Sequence, residues 1–152
     1  MCEFLTGKQQ KVVEWLEQVR KLDQLITAKI AERDRLIAMA TDISARPNDG
    51  MPHSDTGTVS RKVENAVVKL VDLADELNKL IDQYIDAKAI AVQTLEKLPE
   101  KEYAVMHRYY IRFMTLEQIA EDLNYCTTQI WRIKKNALII LEDVIECNAI
   151  PW

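Results

Sequence analysis

The residues best suited to chemistry lie close together near the C-terminus, where hydroxyl, amide, indole and basic side chains follow one another. At about 100° per residue on a helix, Thr128, Arg132 and Lys135 point to one side. A polar, cationic and aromatic surface at the leading end of a helix is what contact with a DNA major groove requires. The candidate DNA-binding residues are Thr127, Thr128, Gln129, Trp131, Arg132, Lys134 and Lys135.

Each of these side chains suits a different contact. Arg132 is the best candidate for a base edge, because its guanidinium fork can pair with guanine. Gln129 and Thr128 suit phosphate or base, whereas Lys134 lies nearer the buried flank and suits backbone phosphate. Trp131 either contacts a thymine methyl or covers the flank of a helical core. The alternative for the basic cluster as a whole is an ordinary solvated helix surface.

The sequence around this surface predicts two helices joined by a tight turn. The first spans Leu116–Leu123, and the second begins at Thr127 or Thr128 and continues past Leu141. Thr115 with Gln118 matches a capping box. Asn124 occupies the turn position that commonly needs a left-handed backbone, which Asn tolerates.

Apolar spacing predicts which sides of these helices are buried. Pro99 favours the start of another helix, from Glu100 to about Arg112, ahead of these two helices. Residues 98–147 should therefore form a three-helix domain, followed by a tail at 148–152. Ile139 points outward and is expected to pack against the stalk described below or a second subunit. The inward positions are Leu116, Ile119, Ala120, Leu123, Ile130, Ile133, Ala137 and Leu141.

The N-terminal part of the chain predicts a long stalk. Apolar residues recur at threes and fours from Lys8 to about Ser44 and from Ser60 to Leu98, and a Pro- and Gly-containing loop at 45–59 separates the two stretches. Residues 1–97 are therefore predicted to form an antiparallel, coiled-coil-like hairpin that pairs with a second chain, as a four-helix bundle. The predicted seam is Val63, Val67, Leu70, Ala74, Leu77, Ile81, Tyr84, Lys88, Ala91 and Leu95.

Composition supports an all-α chain and limits its partners. The 152 residues include only 3 Gly and 4 Pro, and 48% are hydrophobic.

The formal net charge is -4, so DNA binding must come from a local basic patch. Residues 98–146 hold 6 Lys or Arg against 8 Asp or Glu. A single copy should bind DNA weakly, and pairing of two copies should raise avidity. Arg108 and Arg112 are further candidates for phosphate contact.

Several function classes are not expected. Three widely spaced cysteines and the distant pair His53 and His107 predict neither a disulfide framework nor a metal site. No catalytic set or phosphate-binding loop is present, so we expect neither an enzyme nor a cofactor. The chain lacks an apolar run of the roughly 20 residues that span a bilayer, and its start lacks a signal peptide. A cytoplasmic protein without membrane contact is expected.

The segment LPEKEYAVMHRYYIRFMTLEQIAEDLNYCTTQIWRIKKNALIIL, residues 98–141, resembles region 4 of bacterial sigma-70 factors. The shared features are the Leu-Pro-Glu opening, Arg-Tyr-Tyr, T-L-E-Q-I-A, and a second helix that ends in Ala-Leu. The whole chain is similar to small phage and prophage proteins known as ArpU/RinA-like transcriptional regulators. Asn124 and Cys126 depart from the pattern, since Gly and Ser are usual there.

The resemblance implies a helix-turn-helix regulator that acts in the host bacterial cytoplasm and activates transcription of phage genes, plausibly late ones. Double-stranded DNA is then the partner, and RNA polymerase is a further one. Two alternatives stay open. The domain could be a sigma-like adaptor that binds RNA polymerase without reading sequence, or the chain could belong to a structural or DNA-packaging helical assembly.

Overall fold

The computed structural model describes residues 5–44 and 56–148, and these ranges are all-helical, with no strand. This confirms the all-α prediction. None of the described helices is long and apolar enough to cross a bilayer. The five helices are α1 (Gly7–Ser44), α2 (Thr56–Leu95), α3 (Glu100–Tyr110), α4 (Leu116–Leu123) and α5 (Thr127–Asn148).

The predicted bounds of α2 were wrong at both ends. The helix already begins at Thr56, within the predicted loop, and the rest of that loop at 45–55 lies outside the described residues. At the other end the helix stops at Leu95. The amide of Leu98 donates to the carbonyl of Leu95 at 2.9 Å, which closes a tight turn just before Pro99.

The other helix ends show how local side chains set the bounds. Thr6 and Gln9 form a reciprocal cap at the start of α1, with the Thr6 amide 3.3 Å from the Gln9 Oε1 and the Gln9 amide 3.4 Å from the Thr6 Oγ1. At the end of α3 the helix stops at Tyr110, short of the predicted Arg112. Asn148, the first residue of the predicted tail at 148–152, still belongs to α5, and residues 149–152 lie outside the described residues.

The chain divides into two compact units, and the boundary cuts through both long helices. Unit 1 comprises residues 1–23 and 84–152, and unit 2 comprises residues 24–83. Unit 1 holds two apolar clusters. The main cluster contains Val12, Leu16, Val19, Ala91, Leu95, Leu98, Met106, Tyr110, Ile111, Ala137, Leu138, Leu141 and Ile145. The second cluster contains Val105, Ile119, Ala120 and Ile130.

Unit 2 buries far less. Among the described residues of this unit, the buried apolar side chains are Leu73 and Leu77, both on α2. Lys29 of α1 contacts Glu76 of α2, with 2.9 Å between the ammonium nitrogen and the carboxylate oxygen. That hydrogen bond, together with the charge of Glu76, raises the pKa of Lys29. Exposed large apolar side chains in this unit are Leu25, Ile30, Ile37, Met39, Val67, Val68, Val71 and Ile81.

Candidate functional site

The short helix α4 is fixed at its start by a capping box. The Gln118 amide donates to the Thr115 hydroxyl at 3.3 Å, and the Thr115 amide donates to the Gln118 side-chain oxygen at 3.0 Å. Two amides that the helix cannot pair internally are thereby satisfied. The predicted cap and the predicted bounds of α4 are both confirmed.

A left-handed residue reverses the chain after α4. Asn124 has φ 56° and ψ 41°, as the turn prediction required. The next amide, that of Tyr125, donates to the Ala120 carbonyl at 2.9 Å. α5 then begins at Thr127, which leaves the exposed Cys126 in the position before the first helical residue. The Cys126 carbonyl accepts the Gln129 amide at 3.0 Å, so backbone bonding begins the helix even without a good side-chain cap.

α5 contributes to both clusters of unit 1. Near its start, Ile130 is fully buried in the second cluster with Ile119 and Ala120 of α4. Farther along, Ala137 and Leu141 are fully buried in the main cluster. The inward positions predicted for the two helices are all buried or half-buried. Tight packing on both clusters fixes the rotation of α5 about its own axis.

That rotation leaves the leading end of α5 open to solvent. Thr127, Thr128, Gln129 and Arg132 are all exposed. Within the described residues, no ion pair involves Arg132. These four side chains present hydroxyl, amide and guanidinium groups, and we call this set the leading face of α5. Chemically, the set can donate hydrogen bonds and attract an anionic partner.

Trp131 and Lys135 flank the leading face and contact each other. Both are half-buried, and the Lys135 ammonium nitrogen lies 5.4 Å from the Trp131 ring centroid. The pair is four residues apart, which places the two side chains on adjacent turns. A cation held over an indole ring in this way stays close to the helix surface.

The Lys134 side chain points towards α3 and does not belong to the leading face. Its ammonium nitrogen lies 3.6 Å from the Tyr109 ring centroid and 5.4 Å from that of Tyr110. The guanidinium of Arg20 approaches Tyr109 at 6.0 Å and Phe113 at 5.6 Å. The structure therefore brings Lys134 into a cluster of cations and aromatic rings. Spacing alone could not reveal this cluster, because Arg20 comes from a distant part of the sequence.

Two polar contacts tie α3 to its neighbours. Arg108 pairs with Asp122 of α4 and also donates to the Ala104 carbonyl at 3.2 Å. Asn136 of α5 donates to the Glu102 carboxylate at 2.9 Å. Arg108 was a further candidate for phosphate contact, and the structure places it in this ion pair. Arg112, the other further candidate, is exposed.

The connection between α3 and α4 contains a strained residue that the sequence did not single out. Phe113 has φ 56°, which is unusual for a bulky side chain. Its ring packs against the main cluster, and the Met114 amide donates to the Arg108 carbonyl at 3.0 Å. These contacts offset the backbone strain. No sequence signal marks the position, since a glycine or asparagine would be the usual choice.

Two titratable groups beneath the site have shifted pKa values. Burial, assisted by the positive charges of Arg112, Arg108 and Lys88, lowers the pKa of His107. Burial raises the pKa of Tyr110, whose hydroxyl has no hydrogen-bond partner among the described residues. In the described ranges, no cluster of His, Cys, Asp and Glu could hold a metal ion.

Comparison with known proteins places this helical chain in a family. The family described as "Protein of unknown function (DUF1492)" matches residues 51–142, well over half of the chain. The chain therefore belongs to that family. The matched range includes α3, α4 and the leading face of α5. Neither the curated proteins nor the solved structures gave a match.

Proposed function

We propose that this protein is a DNA-binding transcriptional regulator of phage or prophage origin. In this proposal α4 and α5 form a sigma-70 region 4-like helix-turn-helix, and the leading face of α5 enters the major groove. The single observation that carries the proposal is that Thr127, Thr128, Gln129 and Arg132 are exposed at the start of a helix whose other side packs into the apolar clusters of unit 1. An exposed polar surface on a rigid helix suits base contact.

Roles within the interface follow from these placements. Arg132 would read a guanine edge, and Gln129 and Thr128 would contact base or phosphate. Lys135 and Trp131 would contact the backbone at one edge of the groove. Lys134, held on Tyr109, would act indirectly by fixing α5 against α3. The acidic balance of the domain makes a homodimer the expected DNA-binding form.

We also propose that the two long helices, α1 and α2, form an antiparallel hairpin. The contact between Lys29 and Glu76 supports this direction. If the helices ran parallel, that contact would leave Ser44 and Thr56 roughly 50 Å apart at 1.5 Å rise per residue. The connecting residues reach about 43 Å at most when fully extended. An antiparallel arrangement brings the two helix ends within reach of the connection, which supports the proposed hairpin.

Selection of binding sites from random duplexes by the purified full-length protein tests the proposal. We expect a preferred sequence, and an affinity that falls steeply as salt is raised, because phosphate contacts release counterions. Capture of RNA polymerase with no DNA binding at low salt would contradict the proposal and favour the adaptor alternative. Large closed assemblies without DNA binding would favour the structural alternative.

A further inference from the structure

A second apolar surface runs along α2, away from the buried side of that helix. Val67, Val71, Ala74, Asn78 and Ile81 are all exposed and are spaced alternately by four and three residues. We call these five residues the outer stripe. At 100° per residue they fall within about 80° of arc. Its centre lies about 100° from the buried Leu73 and Leu77, so the outer stripe is a separate face of the helix.

α1 carries a matching surface in the same unit. Ile30 is 36% exposed and Ile37 is 46% exposed, while the half-buried Ile26 lies on the same side of the helix. Around the axis of α1, this side lies roughly 80° from the half-buried positions Lys29 and Leu36. The outer stripe is displaced from the buried residues of α2 in the same rotational sense. In an antiparallel pair, an equal sense of rotation places both surfaces on one side. Together they form one apolar face.

The residue types of the outer stripe indicate that it is covered. Val67 is 50% exposed, Val71 is 57% exposed and Ile81 is 38% exposed. β-Branched residues lose rotamer freedom in helices, so exposed helix positions favour other side chains. An apolar surface of this extent is also uncommon on a monomeric protein.

The dimensions of the face fit a protein partner of similar size. The outer stripe runs over 15 residues of α2, which span roughly 22 Å, and two adjacent helices are about 20 Å wide. The projected area is therefore on the order of 450 Å², more than half of the roughly 800 Å² that each partner contributes to a stable interface. A small ligand would leave most of this face uncovered.

Asn78 identifies the partner as a second copy of this chain. In heptad terms Val71 and Asn78 both occupy a positions, one β-branched and one polar. A single Asn at an a position specifies two parallel strands in one register, because its amide is satisfied only by the equivalent amide. We propose that α2 pairs in parallel with α2 of a second copy through the outer stripe, with Asn78 opposite the partner's Asn78.

This inference rests on the homodimer of the proposed function and names its surface and register. Direct cross-linking tests it in the full chain with its three cysteines replaced by serine. Oxidised Asn78→Cys should form a covalent dimer, because equivalent a positions face each other across the twofold axis. The matched control is Asn65→Cys, an exposed position about 160° from the centre of the outer stripe on the same helix, which should stay uncoupled.

Sedimentation measurements supply a second, independent readout. Val71→Glu should raise the dimer dissociation constant by about a hundredfold or more, since it buries a charge in the interface. Asn65→Glu makes the same change in net charge on the opposite side and should leave the dimer intact. Circular dichroism verifies that both variants stay helical.

Three results would overturn the inference. They are a monomeric wild-type chain at tens of micromolar, equal cross-linking at both cysteine positions, and a Val71→Glu variant that stays dimeric. Every measurement is made without DNA, and Arg132→Ala should leave the dimer unchanged. A failure of DNA binding is thereby distinguished from a failure of pairing.

Discussion

The two compact units use the same two long helices in opposite ways. In unit 1, Leu16 of α1 and Leu95 of α2 are fully buried within a cluster that α3 and α5 complete. In unit 2, Val67 and Ile37 stay about half exposed. The difference is one of neighbours, since the added helices of unit 1 supply the contacts that α1 and α2 lack elsewhere. Unit 1 is therefore stabilised within one chain, and in the proposed dimer unit 2 gains its missing contacts from the second copy.

The largest expected difference between the two units comes from truncating one apolar side chain in each of them. Leu95→Ala should cost about 2–5 kcal/mol of unfolding free energy, because Leu95 is fully buried. The loss should be the same at every protein concentration. Val67→Ala should cost little in dilute protein and more at concentrations where a second copy is bound. Urea unfolding over a hundredfold range of concentration measures both, and equal concentration dependence would contradict the comparison.

A smaller effect is expected at the cap of α4. Thr115→Ala removes the hydroxyl that accepts the Gln118 amide, and should cost about 1 kcal/mol. Thr115→Ser keeps the acceptor and serves as the control. Hydrogen exchange should show faster opening at Leu116–Leu123 in the alanine variant, ahead of the rest of unit 1. Unchanged exchange in α4 would show that packing alone holds the helix.

A substitution at Tyr110, in the main cluster, should not lower the free energy of unfolding, unlike the substitutions above. Tyr110→Phe removes a buried polar group that has no partner among the described residues. Stability should stay level or rise by up to about 1 kcal/mol. Thermal unfolding measures the change, with Tyr103→Phe, at a half-buried position, as the comparison. A clear loss of stability would show that the Tyr110 hydroxyl is hydrogen-bonded.

His107 should make stability weakly dependent on pH. Its pKa in the folded chain lies below the ordinary value of 6.5, so the unfolded chain binds a proton more readily. Stability should therefore rise with pH up to about 6.5 and change little above it on account of this group. His107→Gln should flatten the profile between about pH 5.5 and 7. A profile that is unchanged in His107→Gln would assign the dependence to another group.

Local signals predicted the helices of the site well, because the forces that form them are local. The cap at Thr115, the left-handed Asn124 and the buried side of α5 all depend on residues a few positions apart. Contacts across the fold were not predictable in this way. The placement of Lys134 on Tyr109 depends on how α3 and α5 pack, which helical periodicity does not encode.

The long helices show the same limit. The predicted seam of α2 contains buried Leu77 and exposed Val67, because ten residues at 100° each place these two side chains about 80° apart around the helix. The sequence alone could not say which part of that seam faces the same chain. Solvent exposure distinguishes the positions that pack within the chain from those that are open to a partner. Asn78 lies among the open positions, and this is why it bears on the pairing of two copies.

DNA binding by the leading face of α5 is the central claim, and one affinity comparison tests it most directly. Arg132→Ala should weaken binding to a selected duplex by about 1–3 kcal/mol and relax base preference at one position. Lys135→Ala should weaken binding to all sequences and make the salt dependence shallower. Arg35→Ala removes the same charge from an exposed position in unit 2 and is the control.

Fluorescence anisotropy at several salt concentrations measures these affinities. We expect a loss of both affinity and base preference in Arg132→Ala, with Arg35→Ala close to the wild-type protein. Equal binding by the wild-type chain and Arg132→Ala, with unchanged base preference, would contradict it.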